Sequence, residues 1–125
     1  MIFTKKQLVE TYESHLKNHL ISCFSSRPVE PHAVYKHYGS GESFLFNLNG
    51  QKSRKYSWTG SNNFISTGDS EHFAIGGGRG THGVWFDAKL CEGSSQACDT
   101  FGNESSIAGG KRDFIVSGMQ LWVLE

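Results

Sequence analysis

Cys91 and Cys98 are the residues of this 125-residue sequence that most directly raise the question of chemistry, because a thiolate is both a nucleophile and a redox centre. The segment between them, Glu92-Gly93-Ser94-Ser95-Gln96-Ala97, gives neither a C-x-x-C pair nor a zinc-ribbon spacing, although its glycine and serines could let the thiols meet. A reactive thiol needs a cation or a helix start beside it, and the flanking residues supply neither. His15 and His19 stand at a chelating interval for one helix face, but the segment lacks the glutamate of H-E-x-x-H and a third ligand, so they read as solvated histidines with no metal. Gly78, Gly80 and Gly83 satisfy G-x-G-x-x-G within Gly76–Gly83. Such a turn holds a pyrophosphate when a helix N-terminus follows. Here Val84-Trp85-Phe86-Asp87 follows and reads as a strand, so a glycine-rich hairpin is expected and no nucleotide or other cofactor. No G-x-S-x-G elbow is present. Asp69 and Asp87 stand beside turns, where capping accounts for them; Glu104, in Thr100-Phe101-Gly102-Asn103-Glu104, has no such simple account.

The elements that must position these residues change character along the chain. Leu8, Tyr12, Leu16 and Leu20 recur every four residues, Thr4 and Gln7 resemble a capping box, and Lys17 and His19 suit a helix C-terminus. This pattern predicts an amphipathic helix over Thr4–Leu20. Arg27-Pro28-Val29-Glu30-Pro31 ends it, since proline biases the preceding residue toward extended geometry. Short strand-like runs follow at Ser43–Leu48, Lys55–Trp58, Asn63–Ser66, His72–Gly76, Gly83–Asp87, Asp113–Ser117 and Met119–Leu124. Both faces of the last are apolar, as in a strand at the centre of a sheet. Glycine-rich breaks at short intervals fit an antiparallel sandwich better than βαβ units. Period-two placement predicts Phe44, Phe46, Ile75, Trp85, Phe114 and Leu121 as core.

Composition sets the outer bounds. Nine Phe, three Trp and four Tyr, within 37% hydrophobic residues, are enough to pack the core of one domain. Twelve basic residues balance twelve acidic ones, which removes a global field for nucleic acid or an anionic membrane. No apolar run approaches the roughly 18 residues of a membrane-spanning helix. The charged N-terminal stretch is unlike a signal peptide, and three sparse cysteines suit a reducing compartment, so an intracellular protein is expected.

Several strings then coincide with one family. Gly39-Ser40-Gly41-Glu42-Ser43-Phe44-Leu45-Phe46 resembles the G-T-G-E-S-F-L-F segment of TLDc domains. Tyr56-Ser57-Trp58-Thr59-Gly60, Gly68-Asp69-Ser70, Ala74-Ile75-Gly76-Gly77-Gly78 and Gly83-Val84-Trp85-Phe86-Asp87 are similar to the stretches that come next in that family. Gly93-Ser94 through Cys98-Asp99-Thr100-Phe101-Gly102-Asn103-Glu104, Asp113-Phe114-Ile115-Val116 and Leu121-Trp122-Val123 resemble its closing segments. Order and spacing agree from about residue 21 to 124.

The resemblance implies a two-sheet antiparallel sandwich, mainly β with short helices (an α+β class), and residues 21–125 as a TLDc-like domain behind the helix of residues 1–20. It implies a protein-binding module, not an enzyme, linked to oxidative-stress resistance and to binding of the vacuolar-type proton ATPase. The place of action is then the cytoplasm, with mitochondria or a vesicle or lysosome surface also open. The matching positions Gly41, Glu42, Asp69, Gly77, Gly78 and Glu104 are the candidate partner surface; Cys91 and Cys98 are the redox candidates of a rival thiol-dependent antioxidant reading. Two departures stand out. Family domains carry several dozen more residues before the first matching segment, so either the Thr4–Leu20 helix covers the core differently or the domain is incomplete and exposes strand edges, and a truncated, inactive domain stands as a third reading. After Glu104 the family's Pro-Leu is replaced by Ser105-Ser106-Ile107.

Overall fold

A computed structural model describes residues 6–13, 19–27, 36–49 and 53–124. All regular structure among them is β. In chain order the strands are β1 (Lys6–Glu13), β2 (His19–Ser25), β3 (His37–Tyr38), β4 (Phe44–Asn49), β5 (Arg54–Ser57), β6 (Ser66–Gly68), β7 (His72–Ile75), β8 (Val84–Asp87), β9 (Glu92–Ser94) and β10 (Asp113–Leu124). Every pairing is antiparallel, and the order is β3-β6-β7-β8-β9-β10-β1-β2-β4-β5. The long β10 belongs to two sheets. Its first residues pair with β9, and the rest pairs with β1.

The crossing point was visible as a break between two expected strands. Tyr12 pairs with Gly118 and Glu13 with Val116, so Ser117 is an extra residue on β10. A bulge bends the strand that carries it, and here it turns β10 from one sheet into the other. The central place expected for Met119–Leu124 is corrected: among the described residues this stretch pairs with β1 alone, at the edge of that sheet, because β9 reaches only Asp113–Ile115; the Leu121 side chain lies outside the described residues.

The N-terminal helix expected over Thr4–Leu20 is corrected. Lys6–Glu13 is β1, hydrogen-bonded between β10 and β2, and His19 opens β2. The physical reason lies in the spacing. An interval of four is also a multiple of two, so Leu8 and Tyr12 share a strand face as well as a helix face. Val9, Thr11 and Ile21 are β-branched and fit a pleated surface. Thr4, His15, Leu16 and Lys17, and with them the expected His15–His19 interval, lie outside the described residues.

The core forms where the two sheets face each other. Ile21 and Cys23 of β2 and Leu45 of β4 meet Ile75, Val84, Phe86 and Phe114, with Ile65, Cys98, Phe101, Ile107 and Ala108 filling in from loops. Ile75 and Phe114 were expected there. Phe44, Phe46 and Trp85 were too, and they are corrected: each is half-buried on an outer face. In Phe44-Leu45-Phe46 the inward residue is Leu45, 0% exposed. Polar Ser43 and Asn47 share its phase because the interior satisfies them. Ser43 Oγ donates to Ser26 Oγ at 3.1 Å, and Asn47 Nδ2 donates to the Ile107 carbonyl at 3.3 Å. One strand expected at Asn63–Ser66 forms later, at Ser66–Gly68, since Phe64 N–H is capped by Asn62 Oδ1 at 2.9 Å instead of pairing.

Candidate functional site: a loop platform at one end of the sandwich

The polar groups singled out by the sequence divide between the two ends of the second sheet. β7 and β8 fix the division, since Ile75 pairs with Val84 at one end and His72 with Asp87 at the other. At the Asp87 end lie Asp69 and Cys91. Asp69 Oδ1 accepts from Glu71 N–H at 2.7 Å and His72 N–H at 3.0 Å, and His72 Nδ1 stands 3.1 Å away. These amide bonds, Glu71 first, and the charge of His72 hold its carboxyl below the usual range. Asp69 thus caps the β6–β7 turn. Asp87 does the same for the next one, accepting from Cys91 N–H at 2.9 Å.

At the opposite end four connections converge: β3–β4, β5–β6, β7–β8 and β9–β10. Gly76–Gly83 is the expected hairpin, leading into the strand β8. Its backbone enters the left-handed region at Gly76, Gly78, Arg79 and Gly80. Gly78, with φ 98°, runs so close to Asp99 that a Cβ there would stand 2.9 Å from its Oδ2, so both its conformation and its space require glycine.

Thr100 ties the connections together. Its hydroxyl accepts from Gly77 N–H at 2.9 Å and donates to Asn62 Oδ1 at 2.7 Å, while Thr59 N–H donates to the Thr100 carbonyl at 2.9 Å. Thr59 Oγ1 donates to the Asp99 carbonyl at 2.7 Å. Asp99 Oδ1 accepts from both Nε and Nη2 of Arg79, at 2.9 and 2.6 Å. Asn103 extends the network, its amide donating to the Gln96 and Ser105 carbonyls at 2.8 and 3.0 Å. The sequence reading did not single out Thr59, Asn62, Thr100 or Asn103. Their signal was small polar residues interleaved with glycine in loops, a composition that ordinary turns share.

On this network stand two aromatic rings that the sequence reading also passed over. Trp58 is 39% exposed and Phe64 42% exposed. Trp58 Nε1 donates to the Asn62 carbonyl at 2.8 Å. Gly41 lies under its ring, and a Cβ at that position would come within 2.2 Å of it. Gly77 plays the same part for Phe64, with a Cβ there 2.9 Å from the Phe64 Cβ. The three candidate glycines therefore support aromatic and carboxylate groups by close backbone approach. Phe64 also packs on His37, ring centroids 4.5 Å apart. Burial, then the nearby His82, lowers the His37 pKa.

Glu104 is exposed at the same end and borders a shallow hollow with Thr81 and Arg112. Glu42 is exposed beside Gly41, its N–H donating to Ser40 Oγ at 3.4 Å. Glu104 and Asp69 thus do not share one surface. The cysteines are separated as well. Cys91 is exposed at the far end, whereas Cys98 is buried with its Sγ donating to Asn103 Oδ1 at 3.0 Å. Burial pushes the Cys98 thiol pKa up. The loop between them does not bring the thiols together, because β9 runs from one end toward the other. Among the described residues no group of three or more His, Cys, Asp or Glu could hold a metal ion, and no helix is long and apolar enough to cross a membrane.

A family model for the TLDc domain matches residues 2–125. Nuclear receptor coactivator 7 of Mus musculus is 34% identical over 110 residues, covering 88% of this chain and 11% of the relative. Oxidation resistance protein 1 of Xenopus tropicalis is 42% identical over 88 residues, 70% of this chain and 10% of the relative. The Homo sapiens oxidation resistance protein 1 is 38% identical over the same length. The chain spans about a tenth of the length of these relatives.

Proposed function

The chain belongs to the TLDc domain family, and on that basis we propose that it is a non-catalytic protein-binding module acting in resistance to oxidative stress. The proposed contact surface is the loop platform, and the proposed partner is the vacuolar-type proton ATPase, reached from the cytoplasm. The observation that carries the reading is the exposure of Trp58 and Phe64 on a hydrogen-bonded, glycine-supported base. Rigid aromatic anchors lose little side-chain entropy on binding and dominate many interfaces. Glu104 and Glu42 lie at the same end, where carboxylates can select a partner with basic groups. The names of the oxidation resistance relatives support the stress-resistance part. The pump as partner rests on the family resemblance.

Pull-down of solubilised pump by the immobilised chain tests the surface. Trp58→Ala with Phe64→Ala should weaken capture about tenfold or more, and Glu104→Lys by a smaller factor. Asp69→Lys, at the opposite end, should leave it unchanged. Equal capture by wild type and the double alanine variant would remove the platform from the argument; no capture by wild type would remove the pump. The thiol-enzyme alternative predicts peroxide consumption lost in Cys91→Ser with Cys98→Ser. The buried, hydrogen-bonded Cys98 argues against it.

A further inference from the structure

A cavity of about 380 Å³ opens on the outer face of the second sheet, where β8, β9 and β10 lie side by side. Alternation determines what lines it. Phe86 and Phe114 are buried in the core, so Trp85, Asp113 and Ile115 point outward. Trp85 pairs with Ser94, Ser94 with Asp113, and Glu92 with Ile115, so all five side chains share that face. The short Ser94 between the Trp85 ring and Asp113 leaves the hollow. Ile115 is 53% exposed, and His72 packs against Trp85 with ring centroids 6.0 Å apart. Neither the Glu92 nor the Asp113 carboxylate has a hydrogen bond or ion pair among the described residues. No described lysine, arginine or histidine lines the cavity; Arg112, the neighbour of Asp113, lines the hollow beside Glu104 instead.

Exposed carboxylates commonly do no more than keep a surface solvated or, on an edge strand, deter pairing. β9 lies inside its sheet, and solvation leaves the exposed Ile115 and the Trp85 ring beside the carboxylates unexplained. We propose that the cavity receives an arginine side chain from a basic segment of a partner protein. The stem lies along Trp85 and Ile115, and the guanidinium bridges Glu92 and Asp113. Those two carboxylates stand diagonally on paired strands, a spacing of roughly 7–8 Å. A guanidinium carries five N–H donors in a planar fork and engages a carboxylate on each side, which the compact ammonium of lysine does less well. A planar cation also stacks on an indole ring. Like charges on neighbouring strands repel, so a cation between them removes a cost as well as adding bonds. The cavity lies on the sheet face, apart from Trp58 and Phe64 on the loop platform, so its test stands or falls separately from pump binding.

The probe is a short peptide of Gly and Ser with Leu-Arg-Leu at its centre, compared with versions that carry Lys or the neutral citrulline in place of Arg. Titrated into the intact isotope-labelled chain, the Arg peptide should move the Trp85 Nε1–H and Ile115 N–H resonances saturably. The dissociation constant should lie below ~1 mM and rise with added salt. The Lys peptide should bind several-fold more weakly and the citrulline peptide not at all. Glu92→Gln with Asp113→Asn, which keeps both shapes, should weaken binding of the Arg peptide about tenfold or more, and Ile115→Ser a few-fold. Both variants should keep the thermal midpoint, because all three positions are exposed. Trp58→Ala with Phe64→Ala should leave the affinity unchanged, which separates the cavity from the platform. No saturable shift, shifts centred away from Trp85 and Ile115, equal binding of the Lys or citrulline peptide, or undiminished affinity without the two carboxylates would overturn the proposal.

Discussion

Thr100 joins more of the loop platform than any other single side chain described. Its hydroxyl receives the Gly77 amide in a buried setting, so Thr100→Val keeps the shape and leaves that N–H without a partner. An unmade buried hydrogen bond costs about 1–3 kcal/mol, which urea unfolding should register. A cost near zero would mean water reaches Gly77. Pump capture, if the platform is the contact, should fall with it even where the variant remains folded. The cysteines differ in the same physical terms. Cys91 is exposed and Cys98 buried, its thiol held neutral by desolvation. Iodoacetamide should therefore label Cys91 in the native protein and reach Cys98 roughly a hundredfold more slowly, until denaturant is added. Native labelling of both at one rate would show that the loop around Asn103 opens freely.

Among the elements, β4 and β8 had their inward faces misassigned, and β4 offers a sharp comparison. Leu45 is enclosed by both sheets; the side chain of Leu48 points outward and is exposed. Leu45→Ala should cost about 2–5 kcal/mol, within the range for a large-to-small change in a core. Leu48→Ala should cost below ~1 kcal/mol. Reversal of that order would place the Phe44, Phe46 and Leu48 face inside. Phe46→Ala should fall between them, since its ring is half-buried against Phe44. The error had a definite origin. Apolar residues occupy both phases of Phe44–Leu48, and alternation cannot choose a face when neither phase is polar throughout.

At the scale of the whole molecule, β10 makes the two sheets one unit, because opening either removes pairing along a shared strand. Unfolding should accordingly be a single transition seen alike by Trp fluorescence and far-UV circular dichroism. Its dependence on acid follows from two groups. His37 has a folded pKa below its usual value near 6.5, so the stability tied to its neutral form is present above that value and is lost as pH falls through the folded one. Asp69, also lowered, contributes above the ordinary carboxylate value of about 4 and loses its contribution at still lower pH. Thermal midpoints should decline in two steps on acidification. His37→Gln should remove the upper step and Asp69→Asn the lower. A profile unchanged by both variants would show that neither group couples to folding.

By itself the sequence determined the family and the antiparallel β architecture beyond residue 40. Ordered motifs and glycine-punctuated runs of period two are local signals, and they place β4, β5, β7 and β8 to within a residue or two. It also determined that Gly76–Gly83 enters a strand, because Val84–Asp87 carries β-forming residues immediately after the turn. Only the tertiary structure decided the N-terminal strands, since a spacing of four satisfies helix and strand alike until β2 and β10 supply hydrogen-bond partners for β1. The inward choice of Leu45 required the opposing sheet, whose Gly83 leaves room for its side chain: a Cβ there would stand 2.6 Å from Leu45 Cδ1. The candidate site was legible as a set of glycines and carboxylates and illegible as a place. Asp69 and Glu104 look equivalent in sequence, but pairing of β7 with β8 sends them to opposite ends, and contacts from Gly41 and Gly77 to Trp58 and Phe64 exist only after the loops converge. Such contacts join residues far apart in the chain, and a local pattern carries no information about which distant segment will arrive.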